Sequence, residues 1–246
     1  MNNIIKDFKQ RGDIIKIYDW MKINKNLNNF DKKQVSMKNN SGIGTAFNID
    51  VTSIVTSTLI NELNQDLIRT ILKSMFNTQN FDYLDLRPDG SLMTGRVHLE
   101  RLVQMIYQSG YKNVITTGMI ASELMDSAYF LSNGFKNASM SATSTFYNSG
   151  SLNGVKVWVD PYMKFNDGRL CLFNEVDINI EDVDLVEFID PVDAQSTFKI
   201  QYKSDFIVND SKLIFVIENE NSEAYIQYKS LQRDIKIDNI LDGKSF

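Results

Sequence analysis

A chain of 246 residues with 43% hydrophobic and 23% charged residues has the make-up of a water-soluble globular protein, large enough to bury a sizeable core as one large or two small domains. Its net charge of -5 gives no electrostatic reason to expect a nucleic-acid binder, and no apolar run approaches the roughly 20 residues that cross a bilayer. The single Cys171 excludes an internal disulfide and a cysteine-built metal site.

In chain order, Ile4, Ile5, Phe8, Ile14, Ile15, Ile17, Tyr18 and Met21 predict a helix over residues 4–21, bent or split at Gly12. Residues 22–48 are polar and rich in Asn, Lys and Ser, as expected of an extended arm. Residues 50–75 form the strongest element. Leu59, Leu63, Leu67, Ile71 and Met75 recur every fourth position, which predicts one long amphipathic helix capped by Asp50 or Thr52.

A strand is expected at 81–86, then a turn at Arg87-Pro88-Asp89-Gly90, because proline presets one φ and glycine tolerates a positive one. A helix follows at 95–109, capped by Thr94 or Ser91, buried through Val97, Leu99, Leu102, Val103 and Ile106, and ended by Gly110. Val114–Thr117 reads as a short buried strand, and 119–129 as a helix with Ile120, Leu124 and Tyr129 inward.

Residues 132–153 are Ser, Asn, Gly, Ala and Thr with Phe135, Met140, Phe146 and Tyr147 interspersed. A loop of that length is expected to be functional or to form an interface. Val155–Val159 alternates as a strand and stops at Asp160-Pro161-Tyr162. Asn166-Asp167-Gly168 predicts a hairpin turn into a strand at 169–173, with further strands at 183–188, 197–202, 212–217 and 224–228. Helices early and strands late predict an α+β fold.

Catalysis finds little footing. His98 is the sole histidine and lies on a predicted helix, so no Ser or Cys nucleophile has an evident base. No phosphate-binding glycine loop is present. The carboxylates Glu175, Asp177, Glu181, Asp182, Asp184 and Glu187 could in principle hold calcium or magnesium. Their spacing matches no EF-hand, and their alternation with Val176, Ile178, Ile180, Val183, Leu185 and Val186 fits the solvated side of strands better. No catalytic residue, cofactor or metal is expected.

Several stretches resemble the major capsid proteins of T-even-like tailed phages. Thr56–Ile68 resembles the family's spine-helix segment, and Phe81–Leu84 followed by Asp89-Gly90 and Leu99–Ile106 is similar to its next strand, turn and helix. Asn113–Thr117 with Ile120–Leu124 looks like a further strand and short helix. Gly150–Tyr162 resembles the family's glycine, valine-rich strand and Asp-Pro-Tyr ending, and Asp190-Pro191 through Phe198 to Tyr202 looks like a later stretch.

The resemblance implies a Hong Kong-type tailed-phage capsid fold with a spine helix, a peripheral domain and an axial domain. It implies an N-terminal arm with short helices at 1–49, spine helix and peripheral elements at 50–113, an axial-like domain at 114–205, and C-terminal strands returning to the peripheral domain at 206–246. The implied function is a structural virion subunit acting through self-assembly, with copies of itself or a related capsid protein as partners, and scaffold or prohead protease as further ones. A minor or vertex capsid protein, or a regulator of assembly or of the maturation protease, is the alternative. Phe135, Met140, Phe146, Tyr147, Asp160, Pro161 and Tyr162 are the expected interface residues, in a virion capsid assembled in the host cytoplasm, with no specific nucleic acid and no membrane as partner.

Overall fold

The chain opens its described part with strands β1 (Met21–Ile23) and β2 (Asp31–Asn39), then the long helix α1 (Val51–Met75) and strand β3 (Phe81–Asp85). Helix α2 (Gly95–Gln108), strand β4 (Asn113–Thr116), helix α3 (Gly118–Met125) and strands β5 (Phe130–Ser132), β6 (Tyr147–Leu152), β7 (Val155–Val159) and β8 (Arg169–Phe173) follow. Strands β9 (Val176–Ile189), β10 (Ser196–Val208) and β11 (Ser211–Ile217) and helix α4 (Glu223–Leu241) complete it. The computed structural model describes residues 18–23, 31–39, 51–86, 95–132, 147–164, 167–189, 196–218 and 220–241. Two compact units emerge, each built from separated stretches: residues up to Lys73 with Glu175–Asn209, and Ser74–Asn174 with the residues from Asp210 onward.

In the first unit the strands run in the order β1-β9-β10-β2. β10 is antiparallel to both β9 and β2, and β1 pairs parallel with Val176–Ile178 of β9. Along β10, Phe198, Ile200, Tyr202 and Ser204 are buried, while Lys199 and Gln201 are half-buried and Lys203 is exposed, the period of a strand with one covered face. Leu59 and Leu63 of α1 supply that cover against Phe198, Ile200 and Tyr202. The Tyr202 hydroxyl donates to the Leu63 carbonyl at 3.3 Å. Before β1, the Tyr18 ring stacks on Trp20 at 5.5 Å, and burial pushes its phenol pKa up to about 12.

In the second unit the order is β3-β11-β8-β4-β7-β6-β5, with β3 parallel to β11, β4 parallel to β7, and the other neighbours antiparallel. Leu102, Val103 and Ile106 of α2 and Ile120 and Leu124 of α3 join Val114, Val157, Val159, Leu170, Leu172, Ile214 and Val216 in one core. The alternate positions Ile115, Trp158, Cys171, Phe173, Leu213 and Phe215 are buried as well. Both faces are covered, which is why these strands read as near-continuous apolar runs. On the second face Phe215 meets Phe81 edge-on at 5.9 Å and Tyr228 of α4 at 5.9 Å, and Trp158 Nε1 donates to Asn113 Oδ1 at 3.1 Å.

The long helix and the strands at 81–85, 113–116, 155–159, 169–173 and 211–217 lie where the periodicity places them. Other expectations are corrected. Met21 ends no helix: it is buried in β1, paired with Val176, and residues 4–17 lie outside the described residues. The polar arm contains β2, whose hydrogen-bonding partner is β10 along its whole length. The loop expected at 132–153 includes β6 at its end, while Phe135, Met140 and Phe146 lie outside the described residues.

No β7–β8 hairpin forms. β8 inserts between β4 and β11, and β7 between β4 and β6. The strand expected at 224–228 is instead the start of α4, since Ala224 and Tyr228, four apart, are the buried positions. Val97 is 37% exposed, and Tyr129, beyond the end of α3, is 57% exposed. The caps Asp50, Ser91 and Thr94 and the turn 87–90 lie outside the described residues.

Candidate functional site

Strand register places Tyr147 and the Asp160-Pro161-Tyr162 turn at one end of the seven-stranded sheet, while Phe135, Met140 and Phe146 lie outside the described residues. Tyr147, the first residue of β6, pairs with Val159, the last of β7, so it stands beside the Asp160-Pro161-Tyr162 turn. Ser132 ends β5 at the same end, opposite Gly150. The Asp160 backbone N–H donates to the Thr116 carbonyl at 3.0 Å, and Thr116 pairs with Leu170 across β8.

The turn is built by its own residues. Asp160 is 8% exposed, and its Oδ1 accepts the Tyr162 N–H at 2.9 Å, an Asx turn that proline at the next position favours. Pro161 and Tyr162 are left in solvent, Tyr162 at 54% exposure. Tyr147 is exposed at the neighbouring strand end. A tyrosine held by a strand or a tight turn offers a large amphipathic contact with few rotamers to freeze, a feature of protein interfaces.

The same sheet end is fixed by a part-buried ion pair. Arg169 Nε and Nη2 donate to the two oxygens of Asp167 at 2.7 and 2.5 Å, and the guanidinium lies over the Phe76 ring at 5.2 Å. Gly168 between them has no room for a side chain: an added Cβ would meet the Val216 carbonyl, with Ala224 Cβ at 3.1 Å. Lys164 binds Glu223 at 2.7 Å in solvent. That hydrogen bond, then its charge, holds the Lys164 ammonium above its ordinary range and the Glu223 carboxyl below its own.

The sequence reading missed a second group. Around β5, one of the two outer strands of this sheet among the described residues, Met125, Tyr129 and Leu131 are exposed, Leu131 at 70%. Their exposure follows from strand order, which no local window reports. Phe130 turns the other way and lies against β6: a Cβ on Gly150 would come within 2.7 Å of its ring and clash with the Leu131 carbonyl.

The candidate chemical residues do not converge. His98 on α2 is half-buried, and its Nδ1 is buried with no hydrogen-bond partner among the described residues. Cys171 is fully buried, and burial pushes its thiol pKa up, away from a reactive thiolate. Burial, then Glu218 and Asp126, hold the Glu123 carboxyl above its ordinary range. Among the described residues no three His, Cys, Asp or Glu side chains are placed to hold a metal ion. Among them, too, no helix is long and apolar enough to cross a membrane.

No family model and no curated protein matches the chain by sequence. Solved structures do match. The capsid of Ralstonia phage GP4 superposes with a TM-score of 0.50 at 11% identity, over 79% of this chain and 75% of that one. The virus-like particle from Pyrococcus furiosus matches at 0.49 and 11% identity over 76% of each chain. The head of Helicobacter pylori bacteriophage KHP40 matches at 0.49 and 9% identity, over 77% and 74%. At such identities the likeness concerns fold, and on the Ralstonia phage match the chain has the Hong Kong-type tailed-phage capsid fold.

Proposed function

We propose that the protein is a structural subunit of a phage capsid shell and acts by associating with copies of itself or of a related capsid protein. The observation that supports this most is the fold shared with the Ralstonia phage GP4 capsid chain over three quarters of both chains. In this reading α1 is the spine, the four-stranded unit the peripheral domain and the seven-stranded unit the axial domain. The sheet end carrying Tyr147, Pro161 and Tyr162 is then a subunit contact, built of rigid exposed aromatics without catalytic groups. The T-even-like affinity rests on the sequence stretches named above, and scaffold and prohead protease are the further partners that it implies. The particle would be a virion capsid assembled in the host cytoplasm.

The test is light scattering coupled to size-exclusion chromatography across concentration, with electron microscopy of the largest species. Pentamers, hexamers or shells are expected. A monomer at every concentration and salt overturns the reading.

A further inference from the structure

The hairpin of β6 and β7 turns on two residues. Leu152 and Val155 pair across its end and are both buried, so Asn153 and Gly154 alone make the turn. Both are exposed, and both take positive φ, 48° and 88°. Glycine enters that region freely, and asparagine is among the few other residues that tolerate it. The Asn153 backbone N–H donates to the Tyr129 carbonyl at 3.2 Å, which ties the turn to the residue before β5.

The Asn153 carboxamide is not tied. Among the described residues nothing hydrogen-bonds it, and nothing accepts the Gly154 N–H. Space beside the turn is open, since a Cβ built on Gly154 would meet no atom within 4 Å. Other asparagines of this sheet are held. Asn113 Oδ1 accepts from Trp158 and its Nδ2 donates to the Asn174 carbonyl, and Asn148 Oδ1 accepts the Gly150 N–H. Those two precede Val114 and Ser149, whereas Asn153 alone among the described asparagines precedes a glycine.

An asparagine carboxamide carbon is electrophilic, and the next backbone nitrogen can reach it by closing a five-membered ring. A side chain on that next residue hinders the closure, and glycine has none. We propose that Asn153 is a deamidation site of the folded protein. The Gly154 nitrogen gives its proton to solvent and attacks Asn153 Cγ. The bond from Cγ to the side-chain nitrogen breaks, ammonia leaves with a proton from solvent, and a succinimide remains. Water then opens the ring. Breaking the new bond from nitrogen to Cγ gives aspartate. Breaking the original peptide bond gives isoaspartate, whose main chain runs through the side chain and is one carbon longer. Water is the only reactant consumed.

The two products differ in consequence. Aspartate shares the tolerance of positive φ, so the turn survives with an added negative charge. Isoaspartate lengthens a turn that has no residue to spare, so the Leu152–Val155 pairing gives way. The tie to Tyr129 and the pairing of Phe130 with Leu152 weaken with it. This inference is independent of the capsid-subunit reading.

Mass spectrometry of the intact folded protein, aged in mildly alkaline buffer and then cut with trypsin, tests it. The fragment from Asn137 to Lys156 holds Asn153 with Asn137 and Asn148, and leaves out Asn133, the other asparagine before a glycine. Fragmentation is expected to place the mass gain of deamidation at Asn153, at least about tenfold faster than at Asn148, whose neighbour carries a side chain. Gly154→Ala is expected to slow the gain by a similar factor. Should that variant misfold, by circular dichroism, Asn153→Gln decides, because glutamine must close a larger ring and the gain must vanish from the fragment. Amides of Phe130–Ser132 are expected to exchange faster in the isoaspartate fraction. An Asn153 that stays unchanged in the folded protein while the denatured protein converts overturns the proposal, and so does equal conversion at Asn148.

Discussion

The two sheets of this protein use similar strands under different cover. In the four-stranded unit, β10 buries every second residue and lets Lys199, Gln201 and Lys203 toward solvent, with α1 as the packing partner of Phe198, Ile200 and Tyr202. In the seven-stranded unit, β4, β8 and β11 are buried on both faces, by α2 and α3 on one side and by the Phe81–Phe215–Tyr228 aromatic group among others on the second. Stability per residue scales with apolar area removed from water. The seven-stranded sheet is therefore the rigid body, and the four-stranded one, where β10 turns every second residue toward solvent, is the adaptable one. A protein that must be both solid and conformable can divide those properties between sheets.

The sharpest way to break this contrast is Phe215→Ala. Truncating a ring that is 1% exposed and wedged between Phe81 and Tyr228 is expected to cost about 3–5 kcal/mol. Alkylation of Cys171 under native conditions reads the effect, since that thiol is buried and reacts only when its sheet opens. Phe215→Ala should speed alkylation steeply, while Ile200→Ala, a cut of about 2–5 kcal/mol in the other unit, should not. Equal acceleration by both would mean that the units open together and that the contrast is empty.

Alkaline pH probes both units at once. Tyr18, in the four-stranded unit, and Tyr111, in the seven-stranded one, are each pushed up to about 12, Tyr18 by burial and Tyr111 by burial and then by its hydrogen bond to Asp210. A phenol whose folded pKa is raised gives stability that is whole below its unfolded value of about 10 and is lost as pH rises toward about 12. Denaturant midpoints should therefore fall from about pH 10 upward. Tyr111→Phe should flatten that fall, and an unchanged slope would remove Tyr111 from the account.

Smaller effects refine the comparison. Tyr202→Phe removes the hydroxyl that donates to the Leu63 carbonyl and is expected to cost about 0.5–1.5 kcal/mol by urea denaturation. Thr117→Ala, which removes the side chain accepting the Ile120 N–H at the start of α3, should cost about 1 kcal/mol. Lys164→Ala, at a solvent-exposed pair, should leave the melting temperature unchanged within error.

How much of this was legible depended on where the information lay. α1 was legible because its buried residues recur at helical spacing, and β7, β8 and β11 because covered strands are runs of apolar residues. β6 was not, for Asn148, Ser149, Gly150 and Ser151 carry no apolar alternation, and the strand exists through its pairing with β7 and β5. One local sign went unread: Asn153 and Gly154 both take positive φ, 48° and 88°, as a tight hairpin turn asks. β2 is held by its neighbour's backbone, which leaves no trace in its own side-chain pattern. At the candidate site, Tyr147 and Asp160–Tyr162 could be singled out from residue type, but their adjacency needed the Tyr147–Val159 register. The exposed Leu131 needed knowledge that β5 is outermost.

Because each unit is stitched from distant parts of the chain, synthesis cannot finish them one after the other. A nascent chain that has reached Asn209 holds every strand of the four-stranded sheet, yet β3 still lacks its partner. β11, which joins β3 to β8, comes off the ribosome after all the other described strands. Until it arrives the sheet stays split, with β3 on one side of the gap and β8 on the other. Long-range closure of this kind is slow. The arrival of β11 is thus the step that converts two separate groups of strands into one sheet.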